Sequence, residues 1–174
     1  MPYSNAQVDI DTISKVEELD YHRLDKRYLT TDLIATTIFW FIVSVASFSF
    51  LYFNPAELPS IVINLIVGGL VLLAIISYVM VFLGFKKKLY ALRERDIVYQ
   101  SGLFWRKFTV LPFKRVQHAE VQQGPIDRMF ELGKLNIYTA GGSSSDMSIS
   151  GLEINQAQSL KHFILNQTTA DEEE

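Results

Sequence analysis

The chain is 174 residues long, has 49% hydrophobic residues and carries a formal net charge of -3, figures that suit one globular domain of moderate size. It contains no cysteine, which excludes disulfides, thiolate metal sites and cysteine nucleophiles. The average composition conceals an uneven distribution, because apolar residues concentrate between Leu33 and Phe85 and the rest of the chain is polar.

Charge is distributed as unevenly as hydrophobicity. Residues 1–32 carry four Lys/Arg against seven Asp/Glu, residues 86–134 carry eleven against five, and residues 135–174 carry one against six. The basic stretch follows directly on the hydrophobic region, where it would face lipid headgroups. The acidic ends of the chain, including the tail at 167–174, are typical of solvated segments.

Two long uncharged runs, residues 33–53 and 61–83, are the strongest signal in the sequence. Crossing a bilayer core of about 30 Å takes about 20 helical residues, since a helix satisfies its own backbone polar groups in lipid. A buried hairpin of a soluble protein is the alternative, but such helices keep a polar face and neither run has one. Nor is the first run typical of a cleavable signal, because residues 1–32 before it are polar. We therefore predict two transmembrane helices.

The link between the two runs, residues 54–59, is short and contains two prolines, which predicts an antiparallel helical hairpin over 33–85. The link has no Lys or Arg, whereas both outer ends of the hairpin are basic. The basic residues are Arg23, Lys26 and Arg27 before the first helix and Lys86, Lys87 and Lys88 after the second. The positive-inside rule then places both termini in the cytoplasm.

The second run contains an asparagine and two adjacent glycines that define a candidate helix-packing surface. Gly68 and Gly69 permit close approach of another helix, and Asn64 lies one turn earlier. An amide in lipid costs free energy unless it finds a partner, so Asn64 is expected to face protein. The pattern favours contact with the first helix of the same hairpin, and a helix of another subunit is the alternative.

From Leu89 onward the pattern changes to strands and turns. Segments rich in aromatic and β-branched residues alternate with turn residues and predict successive antiparallel strands. The predicted strands are LYALRE, DIVYQSG, FWRKFTVLP, RVQHAEVQQ, KLNIYTA and DMSISGL. Asn155 is expected to cap a closing helix. The apolar stripe of that helix consists of Ala157, Leu160, Phe163 and Ile164.

A short helix is expected to interrupt these strands. Pro125 suits the first position of a helix, and Gly133 is expected to end the turn in a left-handed conformation. Gln123 and Gly124 carry the chain from strand to helix, and Gly141-Gly142 supplies backbone freedom where the next strand must turn sharply. We interpret these positions as requirements of the fold rather than as ligand contacts.

These patterns together predict an α+β membrane protein. A two-helix transmembrane hairpin is followed by a small antiparallel β domain with a C-terminal helix. The predicted parts are a cytoplasmic N-terminal segment at 1–32, the hairpin at 33–85, the domain at 86–166 and an acidic tail at 167–174.

Several motifs occur in a fixed order along residues 21–165. They are the G-L-F…T-V-L-P…R-V-Q stretch, Val121-Gln122-Gln123-Gly124-Pro125, Gly133, Thr139-Ala140-Gly141-Gly142 and Gly151-Leu152, with Leu24-Asp25-Lys26-Arg27-Tyr28 before the first helix. This set resembles the bacterial pleckstrin-homology-like (PH-like) domain of YdbS-like membrane proteins. The resemblance implies a strongly bent antiparallel sheet closed by the C-terminal helix, a bacterial inner or plasma membrane, and no known enzymatic activity.

The sequence carries no motif of an enzyme. His22, His118 and His162 are far apart, and none has metal-ligand spacing. His118 and Glu120 lie two residues apart in one predicted strand, where an exposed pair is the simple interpretation. Phosphate-binding, dinucleotide-binding and serine-nucleophile fingerprints are missing as well. We therefore predict no catalysis, no metal and no cofactor.

Two functions fit this arrangement, and both place the partner at the membrane. The first is a protein-interaction or assembly module at the cytoplasmic face, which binds another membrane protein or copies of itself. The second is binding of anionic lipid headgroups, to which each basic residue near the surface contributes about 1 kcal/mol. The candidate membrane-surface contacts are Lys86, Lys87, Lys88, Arg93, Arg106 and Lys107. The lysine triplet also serves as a topology signal, and nucleic-acid binding is not indicated because no known binding module is present.

Overall fold

A computed structural model of the chain describes residues 19–53, 59–140 and 145–170. The link at 54–58, the Gly141-Gly142 corner and the acidic tail from 171 lie outside these residues. The described residues form two long helices and a β domain whose strands belong to two sheets.

Two helices account for the hydrophobic hairpin: α1 (Lys26–Phe53) and α2 (Ser60–Phe85). Each is long and apolar enough to cross a membrane, and no residue in the most apolar part of either helix is buried within the protein. A core hairpin of a soluble protein would bury these faces, so we treat both as membrane helices. Because α1 begins at Lys26, its first two turns precede the uncharged run that starts at Leu33.

The β domain consists of a four-stranded and a three-stranded antiparallel sheet. The first has the order β1 (His22–Arg23), β2 (Leu89–Leu92), β3 (Asp96–Ser101), β4 (Lys107–Pro112). The second has the order β5 (Val116–Gln122), β6 (Leu132–Thr139), β7 (Met147–Glu153). A short helix α3 (Pro125–Met129) separates β5 from β6, and helix α4 (Ile154–Ala170) follows β7. The predicted α+β class, with a C-terminal helix after an antiparallel β domain, is confirmed.

The first strand precedes the membrane helices although it belongs to the domain that follows them. Arg23 pairs with Leu89 in the antiparallel β1–β2 ladder. Leu24, directly after β1, is only 4% exposed and belongs to the core cluster. The transmembrane hairpin is therefore an insertion in the β1–β2 connection. The folded domain therefore includes residues 22–24 in addition to the range 86–166 expected from sequence, and its last helix continues to Ala170, into the predicted tail.

The core lies between the two sheets and α4. Apolar residues of both sheets are buried there, and Ile97 and Ile137 are fully buried. The predicted stripe of α4 faces this core, since Ala157, Leu160 and Ile164 are buried in the same cluster. One layer of side chains thus joins both sheets and the last helix.

The prediction for the end of α3 is wrong. The residue with a left-handed backbone there is Glu131, with a φ of 55°, whereas Gly133 lies within β6. Space at Gly133 is tight instead, because a Cβ at this position would lie 3.1 Å from Cγ1 of Val121 and 3.3 Å from Cδ1 of Ile154. The chain turns one residue before β6 begins, and the glycine then permits close packing of β6 against its neighbours.

Candidate membrane-facing site

One end of the four-stranded sheet lies next to the membrane helices. Arg23 ends β1 shortly before α1 begins, and Leu89 starts β2 shortly after α2 ends. These two residues pair with each other, so two separate connections join the same end of the sheet to the helices. We call this end of the domain the membrane-proximal end and the opposite one the distal end.

The lysine triplet occupies the turn between α2 and β2, at the membrane-proximal end. Lys86 and Lys87 are exposed, and Lys86 Nζ lies 4.2 Å from the centroid of the Phe82 ring. Lys88 is half-buried and donates a hydrogen bond of 3.2 Å to the Tyr28 hydroxyl. Two of the three lysines are therefore accessible to lipid, while the third is engaged by the protein.

The β3–β4 hairpin brings two further predicted contacts to the same end. Leu89 pairs with Gln100, so β3 ends at the membrane-proximal end. The strand expected to begin at residue 104 begins only at Lys107, because residues 102–106 form the loop of the hairpin. Arg106 and Lys107 are both exposed there.

Arg93 lies at the distal end. It follows β2 in the turn before β3, where its guanidinium donates hydrogen bonds of 2.6 and 2.7 Å to the carboxylate of Asp96. The length of the strands separates Arg93 from the other five candidate contacts. The structure therefore does not bring Arg93 into the membrane-facing site, although it is close to the lysines along the chain.

Tyr28 joins α1, α2 and β7 at one point. Its ring lies over Gly151, whose φ of 76° and missing side chain allow this close approach. The ring centroid of Phe85 is 6.4 Å away, and Lys88 donates to the Tyr28 hydroxyl. Lys88 also lies 3.9 Å from the carboxylate of Asp32. One tyrosine thus connects both membrane helices to the second sheet.

Asp25 fixes the first turn of α1 to the same strand. Its backbone N–H donates to the Gly151 carbonyl at 3.0 Å, and its carboxylate accepts from the Arg27 backbone N–H at 2.8 Å. The Arg27 guanidinium donates to the same carboxylate at 2.9 Å, and this hydrogen bond is the main reason that the pKa of Asp25 lies below its usual value. Backbone and side-chain contacts together therefore hold the domain on the helices.

A cleft of about 490 Å³ opens beside this junction. It is lined by Tyr28, Asp32, Ala35, Thr36, Phe39, Trp40, Ser77, Val81 and Lys88. Among the described residues, the Nε1–H of Trp40 is buried without a hydrogen-bond partner. Sequence reasoning does not identify this cleft, because its members come from two segments that lie far apart in the chain, 28–40 and 77–88.

The helix-packing candidates on α2 do not face α1. Asn64, Gly68 and Gly69 are exposed, and a Cβ built on either glycine would meet nothing within 4 Å. The two helices meet elsewhere, for example through a 2.8 Å hydrogen bond between Thr37 Oγ1 and the Tyr78 hydroxyl. The expectation that these three residues contact the first helix of their own hairpin is wrong, because a different face of α2 packs on α1.

The Gln123-Gly124-Pro125 motif closes the connection between β5 and β6. Gln123 Nε2 donates to the Leu132 carbonyl at 2.7 Å, which ties this connection to the start of β6. Pro125 is the first residue of α3, and the carbonyl of Gly124 accepts from the Arg128 N–H at 2.9 Å. These contacts give the motif a structural role.

A polar network on the outer face of the second sheet goes beyond the predicted His118–Glu120 pair. Glu120 accepts hydrogen bonds from the Tyr138 hydroxyl at 2.6 Å and from Gln122 Nε2 at 2.7 Å. The tyrosine hydrogen bond is the main reason that the pKa of Glu120 lies below its ordinary value. The His118 ring lies 5.7 Å from that of Tyr138. Within the described part of the chain, no group of three or more His, Asp or Glu side chains is placed to hold a metal.

A PH-like β domain whose first connection contains two membrane helices defines the class, a membrane-anchored PH-like protein. The family model described as the bacterial PH domain matches residues 33–168, and the chain belongs to this family. The resemblance inferred from the ordered motifs is thereby confirmed.

Individual proteins are also similar to this chain. It is 28% identical over 134 residues to the UPF0699 transmembrane protein YdbS of Bacillus subtilis (strain 168), an alignment that covers 76% of this chain and 79% of that protein. A crystal structure of a protein with a pleckstrin-homology domain from Shewanella loihica PV-4 matches with a TM-score of 0.38 and 11% identity. That match covers 48% of this chain and 73% of the other.

Proposed function

We propose that the protein is a non-catalytic assembly module that holds its PH-like domain at the cytoplasmic face of the membrane and binds another membrane protein or copies of itself. The junction supports this proposal, because the contacts of Tyr28 with Gly151 and Phe85 restrict the orientation of the domain relative to the helices. A domain held in one orientation presents the same surface to every partner, which lowers the entropic cost of docking.

The observation that carries the proposal is the unpartnered face of α2. Asn64 and Gly68 are four residues apart and share one face of the helix, which is exposed. Lipid offers the Asn64 amide no hydrogen-bond partner. A small residue permits close approach of a second helix, and a hydrogen bond across such an interface contributes about 0.6–2 kcal/mol. A second membrane helix would therefore satisfy both residues.

Copurification from membranes tests this assembly. Two full-length copies with different tags, expressed together and extracted in mild detergent, report self-association, and mass spectrometry of the same eluate reports other membrane proteins. We expect at least one association in the unmodified protein. Combining Gly68→Ile with Asn64→Leu should weaken it at least tenfold, which is about 1.4 kcal/mol, because the bulky side chain blocks close approach and the amide is lost.

Gly84→Ile is the matched control for this experiment. A Cβ at Gly84 also meets nothing within 4 Å, but the residue lies at the far end of α2 from Asn64 and Gly68. We expect this variant to associate like the unmodified protein. Recovery of the unmodified protein alone, or an association that survives Gly68→Ile with Asn64→Leu, would contradict assembly through α2.

The proposal also places both termini in the cytoplasm, as the basic residues on both outer ends of the hairpin indicate. Since the chain has no cysteine, Glu94→Cys introduces a single thiol at an exposed position of the distal turn. We expect a membrane-impermeant maleimide to label it only after the cells are permeabilised. Labelling in intact cells would show that the termini have the opposite orientation.

Binding of anionic headgroups is the second candidate function. One observation favours it: Lys86, Lys87, Arg106 and Lys107 are exposed together at the membrane-proximal end. Four cations near an anionic surface contribute about 1 kcal/mol each, and salt screens this attraction. The arrangement supports attraction to anionic lipid in general rather than recognition of one headgroup.

A further inference from the structure

The loop of the β3–β4 hairpin exposes two aromatic side chains that the core of the domain does not use. Trp105 is 86% exposed, the highest value among the large hydrophobic residues in the described part of the chain, and Phe104 before it is 73% exposed. Comparable exposure occurs at Phe48 and Phe53, which lie in the membrane helix α1. Exposed aromatic pairs of this kind indicate a surface that contacts another apolar phase.

The strand register directs this loop toward the membrane. Leu89, Gln100 and Phe108 form one row across the sheet. Because β2 runs away from α2 and β3 runs back, the loop 102–106 projects past this row in the direction of Lys86. The ladder ends at the Ser101–Lys107 pair, one residue or about 3.3 Å past this row, and the loop continues beyond it in the direction of the turn that contains Lys86 and Lys87.

The loop also lies to the side of the helical hairpin. β4 is the last strand of the four-stranded sheet, and two strand spacings place it roughly 10 Å from β2. Phe104 and Trp105 are exposed, so the helices do not cover the loop at this lateral distance. Its backbone is compact, since Gly102 has a φ of 99° and a Cβ there would overlap the carbonyl group of Trp105.

Basic side chains share this end of the domain with the aromatic pair. Arg106 and Lys107 follow directly in the chain, while Lys86 and Lys87 lie at the same end of the sheet, and all four are exposed. Tryptophan is favoured at the boundary between hydrocarbon and headgroups, and cations are favoured beside anionic lipid. The combination therefore fits a lipid surface on both counts.

We propose that the β3–β4 loop is a second membrane anchor, in which Phe104 and Trp105 insert into the lipid interface and Arg106 and Lys107 bind the phosphates of anionic lipid. Together with α1 and α2, this anchor sets the angle between the four-stranded sheet and the bilayer. The inference rests on the proposed position of the domain at the membrane surface and does not depend on assembly through α2.

Trp105 itself serves as the probe in the test. The chain has two tryptophans, so Trp40→Phe leaves Trp105 as the only one. The full-length variant is reconstituted in vesicles of phosphatidylcholine and phosphatidylglycerol, with or without bromine on the upper part of the acyl chains. We expect brominated lipid to quench the Trp105 fluorescence, and we expect soluble acrylamide to quench it several-fold less than a water-exposed tryptophan.

The matched control moves the tryptophan to the distal end of the same sheet. It combines Trp40→Phe and Trp105→Phe with Glu94→Trp, since Glu94 is exposed in the β2–β3 turn. We expect acrylamide, and not brominated lipid, to quench this tryptophan. Repeating both measurements at high salt separates insertion from electrostatic attraction, because a ring inserted in lipid stays quenched when surface charge is screened.

Three results would overturn the proposal. Acrylamide quenching of Trp105 as strong as that of the distal tryptophan, with no effect of brominated lipid, would show that the loop lies in water. Protection from acrylamide without quenching by lipid would assign the loop to a protein contact. Lipid quenching that disappears at high salt would mean that the loop contacts lipid only through electrostatic attraction. None of these outcomes changes the copurification result, so the two proposals fail separately.

Discussion

Replacing Gly151 by alanine is expected to destabilise the domain by about 2–4 kcal/mol and to release the start of α1 from β7. Gly151 has a φ of 76°, where an L side chain costs about 1 kcal/mol or more. A Cβ there would lie within 2.7 Å of three atoms of Tyr28, and such overpacking adds about 1–3 kcal/mol. The tyrosine ring has to leave Phe85 and Lys88 to make room, so the contact between α1, α2 and β7 is weakened.

Two measurements detect this destabilisation, and Gly84→Ala is their matched control. Denaturant unfolding of the full-length protein in mild detergent reports domain stability, and hydrogen–deuterium exchange of residues 25–31 reports local release. A Cβ at Gly84 meets nothing within 4 Å, and alanine is preferred over glycine inside a helix by about 0.5–1 kcal/mol. If Gly151→Ala and Gly84→Ala gave the same unfolding midpoint and the same exchange, Gly151 would have no special role.

A double variant tests whether the Tyr28 ring is the cause. Once Gly151→Ala has displaced the ring, Tyr28→Ala should cost less than it does in the unmodified protein. The coupling expected for two residues in direct contact is about 0.5–3 kcal/mol. Additive effects would mean that the strain at Gly151 comes from the backbone alone.

How far the fold can be predicted from the sequence depends on how local each signal is. The membrane helices, β6 and α4 follow from the runs and periodicities of their own residues. In contrast, β1 has two exposed residues and no alternation, so its existence depends on pairing with β2 after the whole hairpin. Leu24 likewise resembles an isolated apolar residue in a charged segment, and only the tertiary structure shows it in the core.

The two glycines Gly133 and Gly151 show the same limit. Gly133 was expected to end a helix and Gly151 to lie in a strand; both lie within strands of the structure, but only Gly151 has a positive φ and an aromatic ring against it. What packs on each glycine is a property of the tertiary fold, which periodicity does not specify. The family resemblance included both Gly151 and the segment ending at Tyr28, and the structure shows that these two pieces touch.

The candidate membrane contacts were predictable as basic residues but not as a surface. Arg93 and Arg106 both lie next to strand ends, but the register places Arg93 at the distal end and Arg106 at the membrane-proximal end. Register depends on where each turn begins and ends, and the loop 102–106 is longer than the predicted Ser101-Gly102 turn. That Trp105 and the lysines lie at the same, membrane-proximal end of the domain therefore follows only from the strand pairing.

Removing the transmembrane hairpin while keeping β1 is expected to give a soluble domain that unfolds cooperatively. In this variant a short Gly/Ser linker replaces residues 33–85 and joins Asp32 to Lys86. The two ends are close, since Lys88 Nζ lies 3.9 Å from the Asp32 carboxylate. Because the hairpin is inserted between β1 and β2, the deletion leaves both strands and the core cluster in place.

A fragment that begins at Lys86 is expected to be less stable than the hairpin-deleted protein by at least about 3 kcal/mol. It lacks Leu24, and even truncation of a buried leucine to alanine costs about 2–5 kcal/mol. It also lacks the β1–β2 ladder and the ring of Tyr28 over Gly151. Since a small domain has about 5–15 kcal/mol in total, the fragment loses a large share of its stability.

Urea unfolding followed by circular dichroism compares the two proteins, and Leu24→Ala in the hairpin-deleted protein isolates the contribution of the leucine. Equal midpoints for the fragment and the hairpin-deleted protein would mean that the domain is complete from Lys86 and that the membrane helices merely precede it. The expected lower midpoint of the fragment would mean that the helices are built into the domain between two paired strands. A displacement of the helices in the bilayer would then be transmitted directly to the core, through Leu24 and Tyr28.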